Sequence, residues 1–457
     1  MENLKKALNE SAATRWGVML LVSITMGVNY YFYDALSPLK ELITEKLKFT
    51  STDYGLFVSA YSIPNVFLLM AVIGGIILDK IGIRITGFVF VVFMVIGAAI
   101  TAYGSSDYYN QGGFGYQLMG SFLTSYSPSL KMMFLGFFLF GLGAETSIVV
   151  ISKIIVKWFK GKELAMALGV NLAIGRLGMA AALIISPRLT GLTWPIWLGT
   201  ILLAIGFLTF LIYIIFDLKI DRQLKSTNIE EELPFKFSDV GDLLKNPTFI
   251  YIALLCLTFY SAVFPFVKYA PDLMVNKYGF SREMSGTIVS LLPFGNIIFT
   301  PLFGWICDFK GKSATLMIYG SILLILVHFL FGMTTINPYV PMFILGVAFS
   351  LVPAAMWPSV AKIVDVRKIG TAYGLMFSIQ NIGLWAFPIL IGKVLDRSNP
   401  GVAEAIAAGE EATYNYTNPI IMLMFLGLLG VVFAFLLKRE DKTSGYGLEL
   451  PNKAKEK

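Results

Sequence analysis

Residues 75–84, GIILDKIGIR, and residues 304–312, GWICDFKGK, follow one pattern and indicate how the chain is organised. Each segment ends an apolar run with a glycine, an aspartate four residues on, a second glycine three residues later and a nearby cation. Small residues let helices approach closely, a carboxylate can face the positive end of a neighbouring helix, and the second glycine can turn the chain. The recurrence predicts two equivalent halves and marks as candidate functional residues Gly75, Asp79, Gly82, Arg84, Gly304, Asp308 and Gly311.

The composition around these segments is typical of a membrane protein. Of the 457 residues, 56% are apolar and 14% are charged, whereas a soluble globular chain carries about 25% charged residues. A membrane-crossing helix needs roughly 20 apolar residues, and the apolar runs predict about twelve such spans. They lie near residues 15–37, 53–78, 84–104, 130–156, 163–186 and 193–216, and near residues 248–275, 282–307, 313–333, 338–363, 369–395 and 416–437. We therefore predict an all-α membrane protein with equal numbers of spans in its two halves.

One polar stretch separates the two sets of spans. It runs from Asp217 to Pro247 and contains the acidic segment IEEELP at residues 229–234. This is the only connection that combines substantial length with charge. We therefore predict a first six-helix bundle over residues 1–217, a central loop over residues 218–247, and a second six-helix bundle with a short tail over residues 248–457.

The positive charges predict the orientation of the spans, because cytoplasmic loops carry an excess of Lys and Arg. If both termini are cytoplasmic, that side holds roughly 25 of the 36 Lys and Arg residues, and the opposite loops hold about nine. We therefore expect cytoplasmic termini and a cytoplasmic central loop. The longest outer loops are then those near residues 105–129 and 398–418.

The repeated pattern resembles the signature of the major facilitator superfamily, and twelve spans with a long central loop match its anatomy. Other segments resemble the lysosomal dipeptide transporter branch of that superfamily: NYYFYD at 29–34, YSIPNV at 61–66, WFKGKEL at 158–164, VFPF at 263–266, GTAYG at 370–374 and SIQN at 378–381. The resemblance implies two six-helix bundles around a central cavity that opens to each side of the membrane in turn. It also implies uniport of dipeptides, with a preference for cationic ones.

Two charges lie within the predicted spans, where each costs about 2.5–3.5 kcal/mol or more if it faces lipid. They are Glu145 in span 4 and Arg176 in span 5. Both are equally far from the turn at Lys160 and Gly161, so a helical hairpin places them at one depth, roughly 23 Å from that turn. One interpretation is a structural ion pair between the two spans. The other is a pair of poles that bind the ammonium and the carboxylate of a dipeptide, and the resemblance implies this second role.

Further polar and aromatic side chains are candidates for the same site. Asp34 and Lys268, near the outer ends of spans 1 and 7, form an outer gate, flank a pocket, or are ordinary interfacial charges. Aromatic faces and amides can bind a peptide backbone, although helix packing explains each of them better when taken alone. The predicted substrate-binding residues are Glu145, Arg176, Tyr30, Tyr31, Asp34, Asn65, Phe264, Lys268, Trp357, Gln380 and Asn381. The repeated pattern would then gate the cavity, with Asp79 and Arg84 latching its cytoplasmic side.

Other classes of function find little support in the sequence. An enzyme needs a nucleophile with a base, or a metal cluster, whereas His328, Cys256 and Cys307 all lie in apolar runs. We expect no catalytic residue, no cofactor and no bound metal. The net charge of +7 is explained by cytoplasmic loops rather than by nucleic-acid binding. The expected partners are a small-molecule substrate and the lipid bilayer, and we expect a monomer, with an accessory subunit as the alternative.

Two kinds of transport stay open. The first is movement of dipeptides, either facilitative or secondary active. The second is proton-coupled transport of an organic anion or sugar, in which Arg176 binds a carboxylate and Glu145 carries the proton. A bacterial inner membrane is the expected location, because the N-terminal residues show no obvious lysosomal sorting signal; the lysosomal membrane is the alternative.

Overall fold

The computed structural model describes residues 8–224, 237–365 and 368–452. In these ranges every regular element is a helix, as expected for a chain that must satisfy its backbone hydrogen bonds inside lipid. Residues 225–236, the middle of the predicted central loop with its acidic segment, lie outside the described ranges.

Twelve membrane-crossing segments, six before and six after the central loop, can be followed through the described ranges. Ten helices there are long and apolar enough to cross a membrane. One of them, Met70–Gly104, contains two spans, because Gly82 adopts φ 84° and ψ 165° and interrupts the helix. Span 1, Ala12–Ala35, completes the twelve. Its last turns carry Asn29 and several tyrosines, which make it more polar than a typical span.

The spans have the following bounds. Span 1 is Ala12–Ala35; span 2 comprises Ser51–Ser59, Ala60–Ser62, Ile63–Phe67 and the first part of Met70–Gly104; span 3 is the rest of that helix; and spans 4 to 6 are Pro128–Phe159, Leu164–Ile185 and Thr193–Leu224. Spans 7 to 12 are Pro247–Tyr278, Arg282–Val289 with Leu291–Phe309, Ser313–Met333, Tyr339–Ile363, Ile369–Ser398 and Thr417–Ser444. The connections contain the short helices Leu8–Glu10, Ser37–Leu39, Lys40–Leu47, Asp107–Asn110, Tyr116–Gly120, Ser186–Arg188, Phe237–Leu243 and Val402–Ala407.

Span 6 is longer than predicted. It continues to Leu224 instead of ending near residue 216, so the predicted bundle limit at residue 217 falls inside a helix. Asp217 lies on this extension with its side chain only 1% exposed, bonded to Lys157 at 2.7 Å and to Arg84 at 3.3 Å. A buried carboxylate with two cationic partners is stable within a helix, although the sequence alone makes Asp217 look like the start of a polar loop.

Span 2 is broken near its middle. Leu69 adopts φ 50°, a left-handed conformation that is unusual for a residue with a side chain. Asn65 compensates on the other side of the break, because its Oδ1 atom accepts a 2.9 Å hydrogen bond from the amide of Ala71 at the start of the next helix. The predicted binding residue Asn65 therefore has a structural role within span 2 and is not among the residues that line the central cavity.

The two ends of the bundle differ in the segments that they carry. We call the end at which span 1 begins and span 12 ends the termini face, and the opposite end the far face. Successive spans alternate in direction, so the connections after spans 2, 4, 8 and 10 lie at the termini face. The helices Ser37–Leu39, Lys40–Leu47 and Val402–Ala407 lie at the far face.

Packing between spans follows small residues, but not all of the predicted ones. The space beside Gly75 and Gly304 is open in the described part of the chain, so neither glycine supports the close helix approach expected from the repeated pattern. The neighbouring Gly74 does so instead, facing Thr146 of span 4. The predicted chain turns do occur, because Gly82 and Gly311 have positive φ angles of 84° and 72°.

Gly178 offers a direct test of the packing between spans 1 and 5. A methyl group at Gly178 would overlap the carbonyl oxygen of Gly27, whereas a methyl group at Gly169 of the same span meets no described atom within 4 Å apart from the backbone of its own helix. We expect Gly178→Ala to lower the melting temperature of the purified protein strongly, since rigid backbone cannot yield. Gly169→Ala should keep or slightly raise that temperature, because alanine is favoured over glycine within a helix, and equal melting temperatures for the two variants would contradict this packing.

Candidate functional site

A small cavity lies between the two halves near the middle of the bundle. Its volume is about 70 Å³, room for a few water molecules and not for a dipeptide. Its lining comes from spans 1, 2, 7 and 11 and consists of Asn29, Tyr30, Tyr33, Tyr61, Phe264, Gln380 and Leu384. The predicted residues Tyr30, Phe264 and Gln380 are therefore brought together, and this space must expand to bind a larger solute.

Arg176 of span 5 lies beside this cavity. The residue is 8% exposed, and its Nε and Nη1 atoms have no hydrogen-bond partner among the described residues. Rings from both halves surround the guanidinium, among them Tyr30 and Phe264 of the cavity wall. A buried guanidinium with free donors is a strong site for a carboxylate or another anion.

Glu145 of span 4 also lies near Tyr30. Its carboxylate faces the side chains of Tyr61 and Asn65, and the Tyr30 phenol lies within electrostatic range of both Glu145 and Arg176. Glu145 forms no ion pair with any described residue within 4 Å. An acid and a base are thus both present near one tyrosine, each without an opposite charge bound to it in the described part of the chain.

Glu145 and Arg176 do not form a structural ion pair in this structure. That interpretation assumed that spans 4 and 5 pack together because they are consecutive. Instead span 4 packs mainly on spans 2 and 3, and span 5 packs mainly on span 1. Spans 4 and 5 are therefore not each other's main packing partners, and the hairpin argument, which predicts a common depth for the two charged residues, does not bring them into contact.

The predicted second-half residues differ in how directly they meet the cavity. Gln380 lines it and also accepts a long contact of 3.7 Å from the thiol of Cys256. Asn381 is buried; its Nδ2 atom bonds the Phe377 carbonyl at 3.0 Å, and its Oδ1 atom has no partner within the described ranges. Trp357 stands behind the lining, where its Nε1 atom donates a 3.0 Å hydrogen bond to Tyr260. Trp357 thus supports the wall rather than forming it.

Tyr31 does not line the cavity, contrary to its place among the predicted binding residues. Its ring is 3% exposed and packs with Ala182 of span 5 and with Leu198 and Leu202 of span 6. Tyr31 points about 100° away from Tyr30 around the helix, toward spans 5 and 6 and away from the cavity. Side-chain direction, not residue type, decides which of the two tyrosines meets a ligand.

Asp34 and Lys268 join the halves just beyond the cavity, toward the far face. The Lys268 ammonium lies 2.8 Å from Asp34 and bonds the Tyr33 carbonyl at 2.6 Å, and both charged side chains are at most 4% exposed. Asp34 Oδ2 has no hydrogen-bond partner among the residues that the structure describes. The two residues form a buried ion pair between spans 1 and 7 and are not ordinary interfacial charges.

A second buried pair lies one helical turn further along span 7. The ammonium of Lys40 is 2.9 Å from Asp272, with side-chain exposures of 0% and 3%. Tyr416 donates a hydrogen bond to the same carboxylate, and the Lys40 ammonium lies 4.2 Å from the ring centroid of Tyr414. Sequence reasoning missed Lys40, because a lysine after span 1 is indistinguishable from an ordinary loop residue.

Hydrogen bonds to backbone groups also join the two halves at the far face. Asp396 of span 11 accepts hydrogen bonds from the amides of Ser51 and Thr52 at 3.0 and 2.8 Å, so it caps the first helix of span 2 from the other half. The phenol of Tyr269 bonds the carbonyl oxygens of Ser51 and Pro388 at 3.1 and 2.8 Å. The far face is therefore closed by polar contacts as well as by packing.

The termini face is different, because a cavity of about 330 Å³ opens there between the halves. Its lining is Ala71, Val72, Gly75, Ile76, Leu78, Asp79, Val149, Ser152, Lys153, Val156, Gly370, Thr371 and Gly374. Asp79 forms an ion pair with Lys153 of the same half. Two of the predicted gating residues, Gly75 and Asp79, thus border the wider opening of the molecule.

Arg84, Asp308 and Gly311 of the repeated pattern contact residues of their own half. Arg84 pairs with Asp221 at 2.7 Å and with Asp217 at 3.3 Å. Asp308 accepts a 3.1 Å hydrogen bond from Asn452, and a methyl group at Gly311 would contact the backbone near Leu450. The C-terminal segment therefore covers the second copy of the pattern, whereas charged side chains of spans 4 and 6 surround the first.

Ion pairs show which end of the bundle is closed. Between described residues, the pairs that join the halves are Lys40–Asp272, Lys268–Asp34 and Arg282–Glu41, all at the far face. At the termini face, the ion pairs that the first bundle forms between described residues stay within that bundle. This structure is closed at the far face and open at the termini face.

Comparisons with known proteins agree with this architecture. The family model of the Major Facilitator Superfamily matches residues 22–388. The chain is 30% identical over 438 residues to a mouse protein named lysosomal dipeptide transporter MFSD1, covering 92% of this chain and 86% of the mouse protein. It is 23% identical over 433 residues to the hexuronate transporter of Bacillus subtilis strain 168, covering 88% and 95% of the two chains.

Among solved structures, the crystal structure of a D-xylose–proton symporter superposes with a TM-score of 0.68 at 12% identity. The match covers 92% of this chain and 97% of the symporter. At such low identity the likeness concerns the fold, which is that of twelve helices in two six-helix bundles around a central cavity. Together with the match of the family model over most of the sequence, these findings establish that the chain is a multi-pass membrane transporter belonging to the Major Facilitator Superfamily.

Proposed function

We propose that this protein moves dipeptides across its membrane by alternating access, with Glu145 and Arg176 as the charged poles of the binding site. The observation that carries the proposal is the pair of opposite charges beside Tyr30, neither of which has an ion-pair partner among the described residues. A zwitterionic dipeptide spans roughly 7 Å between its charged ends. Its ammonium would bind Glu145, and its carboxylate would bind Arg176.

The lining around these poles suits a peptide. Tyr30, Tyr61 and Gln380 offer hydroxyl and amide groups to the peptide bond, and Phe264 offers an apolar surface. The curated mouse relative, which carries the name of a lysosomal dipeptide transporter, matches over most of both chains. Both considerations support dipeptides as the substrate class.

The state of the molecule supports alternating access. The cavity beside Arg176 is small, the far face is closed by two buried ion pairs, and the termini face is open. Transport then requires the far-face contacts to separate while the wide cavity at the termini face closes. The latch role of Asp79 and Arg84 belongs to that second state and remains a prediction.

We further propose that both termini are cytoplasmic in a bacterial inner membrane. Cysteines introduced at Phe114, 88% exposed in the far-face loop, and at Lys160 in a termini-face turn test this orientation. In intact cells an impermeant maleimide should label Phe114→Cys but not Lys160→Cys, while the native Cys256 and Cys307 are buried. The opposite labelling pattern would invert the assignment, and location in a lysosomal membrane is the alternative.

Proton-coupled transport of an organic anion or sugar is the second candidate function. Arg176 alone can bind a carboxylate, and Glu145, next to Tyr61 and Asn65, can carry a proton. The similarity to a hexuronate transporter and the shared fold of a xylose–proton symporter favour this alternative. In that case an organic anion would bind through its carboxylate alone, because neither an organic anion nor a sugar carries an ammonium group for Glu145.

A thermal-shift screen of the purified full-length protein separates the candidates. The ligands are lysyl-alanine, alanyl-alanine, free amino acids, glucuronate, succinate and xylose. A ligand at one hundred times its Kd stabilises the folded state by about 2.7 kcal/mol. Selective stabilisation by the dipeptides supports the proposal. Stabilisation by glucuronate, succinate or xylose alone would replace it with the second candidate.

A further inference from the structure

The guanidinium of Arg176 is surrounded by three aromatic rings. Its Cζ atom lies 5.1 Å from the ring centroid of Phe349, 5.5 Å from that of Tyr30 and 5.9 Å from that of Phe264. These distances fall within the roughly 6 Å at which a cation is attracted to a ring face. The rings accept no conventional hydrogen bond, and the Nε and Nη1 donors stay unpaired within the described residues.

The rings belong to different halves of the transporter. Tyr30 and Arg176 lie on spans 1 and 5 of the first half, whereas Phe264 and Phe349 lie on spans 7 and 10 of the second. The second-half rings support each other, because the Phe264 and Phe349 centroids are 5.3 Å apart in an edge-to-face arrangement. Tyr260 meets both of them at 5.7 and 5.9 Å. The cage around Arg176 therefore crosses the interface that must rearrange during transport.

We propose that Phe264 and Phe349 are positioning residues that hold the Arg176 guanidinium buried and unpaired until a ligand carboxylate reaches it. This inference rests on the proposed function, in which Arg176 binds that carboxylate. A protein carboxylate in the same place would neutralise Arg176 and compete with the ligand, and an apolar wall without rings would leave the charge unsupported. Ring faces attract the cation and leave its N–H donors available.

A ligand-free experiment tests the cage itself. Melting temperatures are measured for Phe349→Leu, Arg176→Met and the double variant, and likewise with Phe264→Leu. We expect each leucine substitution to lower the melting temperature when Arg176 is present and to lower it about half as much or less in the Arg176→Met background, because coupled residues are not additive. Phe331→Leu, a buried second-half phenylalanine that packs on Phe266, is the additive control. Equal losses in both backgrounds would overturn the cage.

A binding experiment tests the role of the cage. With lysyl-alanine as the probe, Phe349→Leu and Phe264→Leu should raise Kd by about 3- to 30-fold. Phe349→Tyr, which keeps a ring at that position, should stay near wild type. If the leucine and tyrosine variants bind alike, the rings do not position Arg176. If the wild type does not bind lysyl-alanine at all, the proposed function fails, and the ligand-free experiment still decides whether the cage exists.

Discussion

Replacing Arg176 with glutamine is expected to raise the Kd for lysyl-alanine at least about 30-fold, since removing one partner of a buried charge pair costs about 2–5 kcal/mol or more. Glutamine keeps two N–H donors but loses the charge, and the ligand carboxylate would then be buried without a cation. The measurement is a thermal-shift titration of purified protein. Arg188→Gln is the matched control, because Arg188 follows the same span, is exposed, and contacts Thr287 at the far face.

Chemical changes to the ligand make this prediction more specific. Wild-type protein should bind lysyl-alanine amide, which lacks the carboxylate, about as poorly as Arg176→Gln binds the free dipeptide. In Arg176→Gln, amidation of the ligand should then make little further difference. Likewise, wild-type protein should bind α-N-acetylated lysyl-alanine about as poorly as Glu145→Gln binds the free dipeptide, and acetylation should make little further difference in Glu145→Gln. If amidation weakens binding as much in Arg176→Gln as in the wild type, the ligand carboxylate binds elsewhere.

Breaking the Lys40–Asp272 pair is expected to open the far face. Asp272→Asn leaves the Lys40 ammonium buried without its counter-charge, and breaking a buried pair in this way costs about 3–5 kcal/mol. This cost applies only where both residues are buried together, which is the far-closed state described here. The population should therefore shift toward the far-open state by about two to four orders of magnitude, since about 1.4 kcal/mol corresponds to a factor of ten.

Spin labels at Lys48 and Glu404, on neighbouring far-face segments of the two halves, report this opening as a longer distance. The control is Lys46→Met, which removes the solvent-exposed pair with Glu45 from the same short helix. Exposed pairs are worth little, so this control should leave the distance unchanged. Exchange of the charges in Lys40→Asp with Asp272→Lys should restore part of the closed population. An unchanged distance in Asp272→Asn would show that this pair does not hold the far face.

The fold could be predicted because lipid imposes a simple rule on sequence. Long apolar runs and a repeated glycine–aspartate pattern are local properties, and they correctly predicted twelve spans in two equivalent halves. The predicted helix bounds were wrong where a polar residue within a helix is stabilised by partners that are distant in sequence. Asp217 predicted a loop, yet its bonds to Lys157 and Arg84 keep it within span 6.

The candidate site was predictable in its chemistry but not in its arrangement. Charges inside apolar spans are costly, so Glu145 and Arg176 stand out in the sequence. Their neighbours are set by which helix packs on which, and spans 4 and 5 pack mainly on other spans rather than on each other. No local pattern singles out Phe349 or Lys40, because each shares a spatial site with residues more than one hundred positions away.

The sequence by itself determined that this chain crosses a membrane many times, that its halves repeat, and that two opposite charges lie inside its spans. These properties depend on composition, periodicity and distance along single helices, which the chain carries locally. Only the tertiary structure decided that Tyr30 faces the cavity while Tyr31 does not, and that rings of the second half surround Arg176. It also decided that the far face is closed. These features arise between helices that are distant in sequence, and contacts between them depend on packing and conformational state, which no local pattern encodes.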